Sequence, residues 1–92
     1  MPMRTADTTF LSLMVQRLLD SEVLSETEGL TLRTEAEAAS QCLLEGDDSA
    51  ARRHVEQVAL FTEALVSTEA LVLGDGRAVI DAAHRILDQD AD

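Results

Sequence analysis

The amino-acid sequence predicts an all-α four-helix bundle built from two helical hairpins. Apolar residues recur at three- and four-residue spacing along four segments, as in helices that bury one face. No segment shows the alternating polarity of a half-buried strand. The turn Leu24–Gly29 has a looser counterpart 49 residues later, in Leu73–Ala78, which indicates a weak repeat of one hairpin.

The length predicts one domain. The chain has 92 residues, and we expect a core over about residues 8–88 with flexible ends at 1–6 and 89–92. A chain of this size buries only about 60–65% of its unfolded surface. Phe10 and Phe61 are the only aromatic residues, so aliphatic side chains must fill most of the interior.

The first helix is predicted from about Thr8 to Ser21, with Asp7 as its N-cap. Its buried stripe is predicted to contain Leu11, Met14 or Val15, and Leu18, widened by Phe10, Leu13 and Leu19. The second helix opens at Ser25, because Ser25 and Glu28 fit a capping box. It ends near Gly46, and its stripe is Leu32, Ala36, Ala39 and Leu43.

The third helix follows three N-cap candidates at positions 47–49 and is predicted to end around Leu71. Its stripe is Ala51, Val55, Val58, Thr62 and Leu65. Further apolar residues lie off this stripe, which suits a helix packed between neighbours. The alternative is an apolar ridge that binds a partner, formed by Leu60, Phe61, Ala64 and Val66.

The fourth helix is predicted after a break at Gly74-Asp75-Gly76, with Asp75 as its cap, and ends near Asp88. Asp81 and Arg85 have the spacing of an ion pair on one helix face. The buried face is predicted to be Val79, Ile80, Ala83, Ile86 and Leu87.

The formal net charge of −11 narrows the classes of partner. Nine acidic residues lie from Asp20 to Asp48, against the single base Arg33. We therefore expect no nucleic acid and no anionic membrane as partner, because phosphates would be repelled. The negative charge keeps the protein soluble or, alternatively, forms a surface that attracts a basic protein or a cationic ligand. The one basic cluster, Arg52, Arg53 and His54, either offsets nearby acids or contacts an anion or partner.

No motif predicts catalysis, a cofactor or a metal site. His84 lies between Asp81 and Asp88 on one helix face, which could supply three metal ligands, but such spacings are common on solvated polar faces. The single Cys42 has no internal disulfide partner and is expected to be a buried thiol that contributes to packing.

From Leu24 onward the pattern resembles the FIMAH domain, a small α-helical module. The resemblance covers about residues 13–88 and is carried by these elements: Leu24-Ser25, Leu43-Leu44-Glu45-Gly46-Asp47, Ala51 with Phe61, and Leu73, Ala78, Ala83 and Ile86-Leu87. It implies an accessory module without catalytic residues, of the kind appended to secreted bacterial proteins. This chain differs in having no export signal and in having Glu22 where a glycine is expected at the first turn.

Together these observations predict a non-catalytic interaction module. It would bind a protein partner through its helix faces or form a homodimer, for which the third helix is slightly favoured. The alternative is a protein that sequesters a small apolar or cationic molecule between its helices. Without a signal peptide or a transmembrane stretch, a cytoplasmic location is expected.

Overall fold

The computed structural model of the protein describes residues 4–91, which form four α-helices and no strand. α1 spans Thr5–Asp20, α2 spans Glu26–Leu44, α3 spans Asp48–Ser67 and α4 spans Leu73–Ala91. Each helix packs against the next one, and α1 also packs against α4, which closes the bundle. The predicted four-helix bundle is therefore confirmed. None of these four helices combines the length and apolar character needed to cross a bilayer.

Three predicted helix boundaries are confirmed in atomic detail. The Ser25 hydroxyl accepts a hydrogen bond from the Glu28 N–H at 3.2 Å, and the Glu28 carboxylate accepts one from the Ser25 N–H at 3.3 Å. Gly46 ends α2 with φ +82°, a conformation that glycine adopts without strain. Asp47 then caps α3, since its carboxylate accepts from the Ala50 N–H at 3.0 Å.

Other predicted boundaries are wrong. Asp7 is not the N-cap of α1: the helix begins earlier, after Arg4, and the Asp7 carboxylate accepts from the Arg4 N–H at 3.3 Å. α3 ends at Ser67 rather than near Leu71, because Glu69 adopts φ +63° and turns the chain. Residues 74–76 do not break the chain but lie in the first turn of α4, so Asp75 is not its N-cap. Of the ends predicted to be flexible, at 1–6 and 89–92, residues 5–6 and 89–91 are helical and residues 1–3 and 92 lie outside the described residues, so the flexibility stays a prediction.

Most members of the predicted stripes form the core, but Leu19, Leu43, Ile80 and Leu87 are only half-buried and two residues on α1 are exposed. The fully or largely buried members are Leu11, Val15, Leu18, Leu32, Ala36, Ala39, Ala51, Val55, Val58, Thr62, Leu65, Val79, Ala83 and Ile86. Phe10 and Leu13 do not widen the buried face of α1 as predicted, because both lie on its outer side and are more than half exposed. Cys42 is half-buried and packs against the core as a free thiol.

The two hairpins repeat one another, although not in the predicted register. Leu24 is buried whereas Leu73 is exposed, so the 49-residue offset is wrong. The structural offset is 47 residues: Leu24 corresponds to Leu71, and both turns contain a glutamate with positive φ, at Glu22 and Glu69. Other buried pairs at this offset are Leu11 with Val58, Val15 with Thr62, Leu18 with Leu65, Leu32 with Val79, Ala36 with Ala83 and Ala39 with Ile86.

Two equivalent glycines set the distance between the helices of each hairpin. Gly29 in α2 and Gly76 in α4 are both buried near the start of their helices. A Cβ atom at Gly29 would overlap the Leu19 side chain, and one at Gly76 would lie 2.8 Å from Val66 Cγ2. Since Leu19 and Val66 are themselves equivalent, the same close helix contact occurs twice in the bundle.

Candidate interaction surface

The apolar ridge predicted on α3 is mostly covered by the bundle. Phe61 and Val66 are half-buried and pack against the core. Leu60 and Ala64 are exposed, and Leu60 alone of these is a large apolar side chain facing solvent. The ridge therefore reduces to two side chains, because α2 and α4 flank α3 and bury the rest of its apolar surface.

The predicted basic cluster is divided between two sides of α3. An Arg52 Nη1–H donates to the Leu87 carbonyl oxygen at 3.1 Å, toward α4. His54 Nδ1 lies 2.8 Å from a Glu35 carboxylate oxygen, toward α2. Arg53 is exposed and lines a shallow groove that also contains Glu35. Arg53 and His54 therefore line one groove with Glu35, whereas Arg52 points toward α4, so the three side chains do not form a single site.

His84 and Asp81, the residues with metal-ligand spacing, contact other side chains in the structure. His84 Nε2 lies 3.2 Å from a carboxylate oxygen of Glu63 on α3, across the groove of the second hairpin. Asp81 pairs with Arg77 at 3.7 Å rather than with Arg85. Among residues 4–91, no three histidine, cysteine or acidic side chains are placed together to hold a metal ion.

Each hairpin has a shallow groove between its two helices, at equivalent positions. The groove between α1 and α2 is lined by Leu13 and Gln16, and that between α3 and α4 by Leu60 and Glu63. Leu13 and Leu60 correspond at the 47-residue offset and are 58% and 57% exposed. These two leucines provide an internal comparison of the two hairpin surfaces.

One difference between these surfaces lies on the outer face of α1. Phe10 is 52% exposed and stands one turn before Leu13, whereas the equivalent position on α3 holds Gln57. Residues three and four apart are neighbours on a helix surface. We name the exposed row along this face the α1 stripe: Ala6, Phe10, Leu13 and Arg17.

The α1 stripe also lies on an electrically balanced part of an acidic protein. Residues 4–20 contain two arginines and two aspartates, so the formal charge of −11 comes entirely from the rest of the chain. The sequence contained part of the signal for this surface, because on a helical wheel Leu13 lies opposite Leu11, Val15 and Leu18, and Phe10 lies about 100° away from them. Their apolar character alone had placed them in the core.

Comparison of the chain with models of protein families, with curated proteins and with solved structures gives no match. The resemblance to the FIMAH domain therefore stays a prediction, and the function has to be argued from the surface itself.

Proposed function

We propose that the protein is a non-catalytic interaction module that binds a protein partner, or a second copy of itself, through the α1 stripe. The observation that carries the proposal is the exposure of Phe10 and Leu13 side by side on one helix face. Contiguous apolar surface facing water marks interaction sites in soluble domains. The resemblance to an accessory module without catalytic residues agrees with this role.

The distribution of reactive side chains supports a role without catalysis. His54 contacts Glu35 between α2 and α3, and His84 contacts Glu63 between α3 and α4. The two histidines thus belong to separate helix contacts on the bundle surface. The buried polar side chains in the described part are Thr8 and Thr62, and both hydroxyls donate or accept hydrogen bonds.

Binding of a small molecule within the bundle has less support. Such a ligand needs space between the helices, and bundle ligand sites are built from facing core side chains. Here the facing positions are filled by fully buried side chains, among them Leu11, Leu32 and Val58. The grooves described above lie at the surface.

A cytoplasmic location is part of the proposal. Cys42 is a free thiol, which agrees with a reducing compartment. Fractionation of native cells tests this location directly.

The proposed function is tested by affinity capture from the native cell with three forms of the chain. We expect the wild type to retain one protein, either an endogenous copy of this chain or a different protein. The double variant Phe10→Gln/Leu13→Gln should lose it, whereas Leu60→Gln should keep it, because Leu60 is the equally exposed leucine of the other hairpin. Equal capture by all three forms would contradict the proposal.

A further inference from the structure

We propose that the α1 stripe binds a second copy of this chain, with the two α1 helices antiparallel about a two-fold axis. This inference rests on the proposed function and names the partner. Residues of the stripe are spaced four, three and four apart, so the row reads the same from either end. In a two-fold interface residue i contacts residue j while j contacts i. The spacing therefore sets Phe10 against the partner's Leu13, and Leu13 against the partner's Phe10.

Phe10 and Leu13 point to different sides of α1, which lets each of them pack beside an apolar side chain of the second copy. Phe10 lines the groove between α1 and α4, and Leu13 lines the groove between α1 and α2. A two-fold axis perpendicular to α1 places Phe10 and the partner's Leu13 at the same height on opposite sides of the midline. The side chains then interdigitate, as ridges and grooves do when helices pack.

Charge complementarity favours this face over the rest of the surface for a second copy. The same arrangement brings Arg17 over the turn that contains the partner's Ala6 and the partner's Asp7, whose carboxylate also lies 3.7 Å from the Nε of Arg4 in its own chain. The axis generates this pairing twice, at the two ends of the contact. On the rest of the surface the two acidic copies repel each other. Salt screens this repulsion only between charges that lie farther apart than about 8–10 Å at physiological ionic strength.

A second exposed apolar surface shows the contrast, and Leu30 and Leu44 on α2 are exposed as well. The bundle end that holds the two interhelical turns of the hairpins exposes Val23, Val72 and Leu73, but the same turns and the helix starts beside them contain acidic residues. These are Glu22, Glu26, Glu69 and Asp75, against the base Arg77. A second copy of the chain approaching this end would meet the same acids, so this end does not suit self-association.

α1 is long enough to form the centre of such an interface. Its 16 residues extend about 24 Å at 1.5 Å per residue. A standard interface buries about 800 Å² per partner, a modest part of the 5400 Å² of accessible surface. The α1 stripe and the adjoining edges of α2 and α4 together form the contact, with the four apolar side chains at its centre.

Sedimentation equilibrium of the purified full chain, from low micromolar to several hundred micromolar, tests the inference. We expect a monomer–dimer equilibrium for the wild type and for Leu60→Gln. Phe10→Gln/Leu13→Gln should raise the dimer dissociation constant by about tenfold or more, because both copies lose their central apolar contacts. Circular dichroism verifies that the variants fold, as expected for exposed positions.

A charge reversal tests the antiparallel arrangement. Arg17→Glu should weaken the dimer more than Arg77→Glu, which makes the same charge change outside the contact. Equal weakening by both variants would overturn the arrangement, as would a dimer that survives Phe10→Gln/Leu13→Gln. A wild type that stays monomeric throughout overturns the inference; if it still captures a different protein through Phe10 and Leu13, the proposed function stands.

Discussion

The two hairpins of this protein bury the same pattern of positions and present different outer surfaces. α1–α2 and α3–α4 place buried side chains 47 residues apart, from Leu11 and Val58 to Ala39 and Ile86. On the outside, Phe10 and Leu13 of the first hairpin correspond to Gln57 and Leu60 of the second. Close packing constrains each buried position, whereas an exposed position can differ without loss of the fold. The features that distinguish the hairpins are therefore where we look for function.

The largest expected effect tests whether the two halves of the core are equivalent. Leu18→Ala and Leu65→Ala remove side chains that are equivalent in the repeat and similarly buried. Each should lower the free energy of unfolding by about 2–5 kcal/mol, because each leaves a cavity. Urea denaturation measures both. A loss confined to one of the two variants would show that the hairpins do not share the core equally.

A smaller effect on stability is expected from replacing the buried glycines, and it should differ between the two hairpins. A Cβ at Gly76 would meet Val66 Cγ2 at 2.8 Å and Leu71 Cδ2 at 3.0 Å, so Gly76→Ala crowds two side chains that pack against the core. At Gly29 the added methyl group would overlap Leu19 Cδ2 and lie 2.9 Å from Leu19 Cγ, so the whole Leu19 side chain, which is half-buried, has to turn toward solvent.

We expect Gly76→Ala to destabilise the protein by about 1–2 kcal/mol, since overpacking outweighs the gain in helix propensity. Gly29→Ala should change stability by less than about 1 kcal/mol, because the two effects nearly cancel. Denaturation midpoints of the two variants give the comparison. The reverse order would mean that Leu19 is held more rigidly than its partial exposure indicates.

The smallest expected effect is an increase in stability, in contrast to the losses above, and it should be the same in both hairpins. Glu22 and Glu69 adopt φ +58° and +63°, a region that favours glycine. Glu22→Gly and Glu69→Gly should each stabilise the protein by about 0.5–1 kcal/mol, since glycine relieves the left-handed strain at some entropic cost. Glu22→Ala and Glu69→Ala are the controls and should give no such gain. Thermal unfolding measures the four variants, and an equal gain from alanine would contradict the strain explanation.

The sequence predicted those features of the fold that depend on local pattern. Helical spacing identified the stripe on α3 from Ala51 to Leu65, and every member of it is buried. The capping box at Ser25 and the left-handed Gly46 were also predicted, because both depend on residues close in sequence. The start of α4 was not predicted, since Gly74 and Gly76 have low helix propensity and resemble a break. Contact with Val66 on α3 explains why a glycine lies inside that helix.

The candidate surface required the tertiary structure. Phe10 and Leu13 are apolar residues beside a buried stripe, and the sequence alone placed them in the core. Arg52 and His54 are adjacent to Arg53 in sequence, but their partners Leu87 and Glu35 lie on different helices. A side chain's neighbours from other elements decide whether it is covered, paired or free to bind, and those neighbours are distant in sequence.

By itself, then, the sequence determined the number of helices, their buried faces and the acidic balance of the chain, because periodicity, capping and charge are properties of nearby residues. Only the tertiary structure decided the register of the repeat, in which Leu24 is equivalent to Leu71 and Gly29 is equivalent to Gly76. It also decided which apolar residues stay uncovered. The bundle surrounds each helix on part of its circumference only, and on α1 that leaves Phe10 and Leu13 facing solvent.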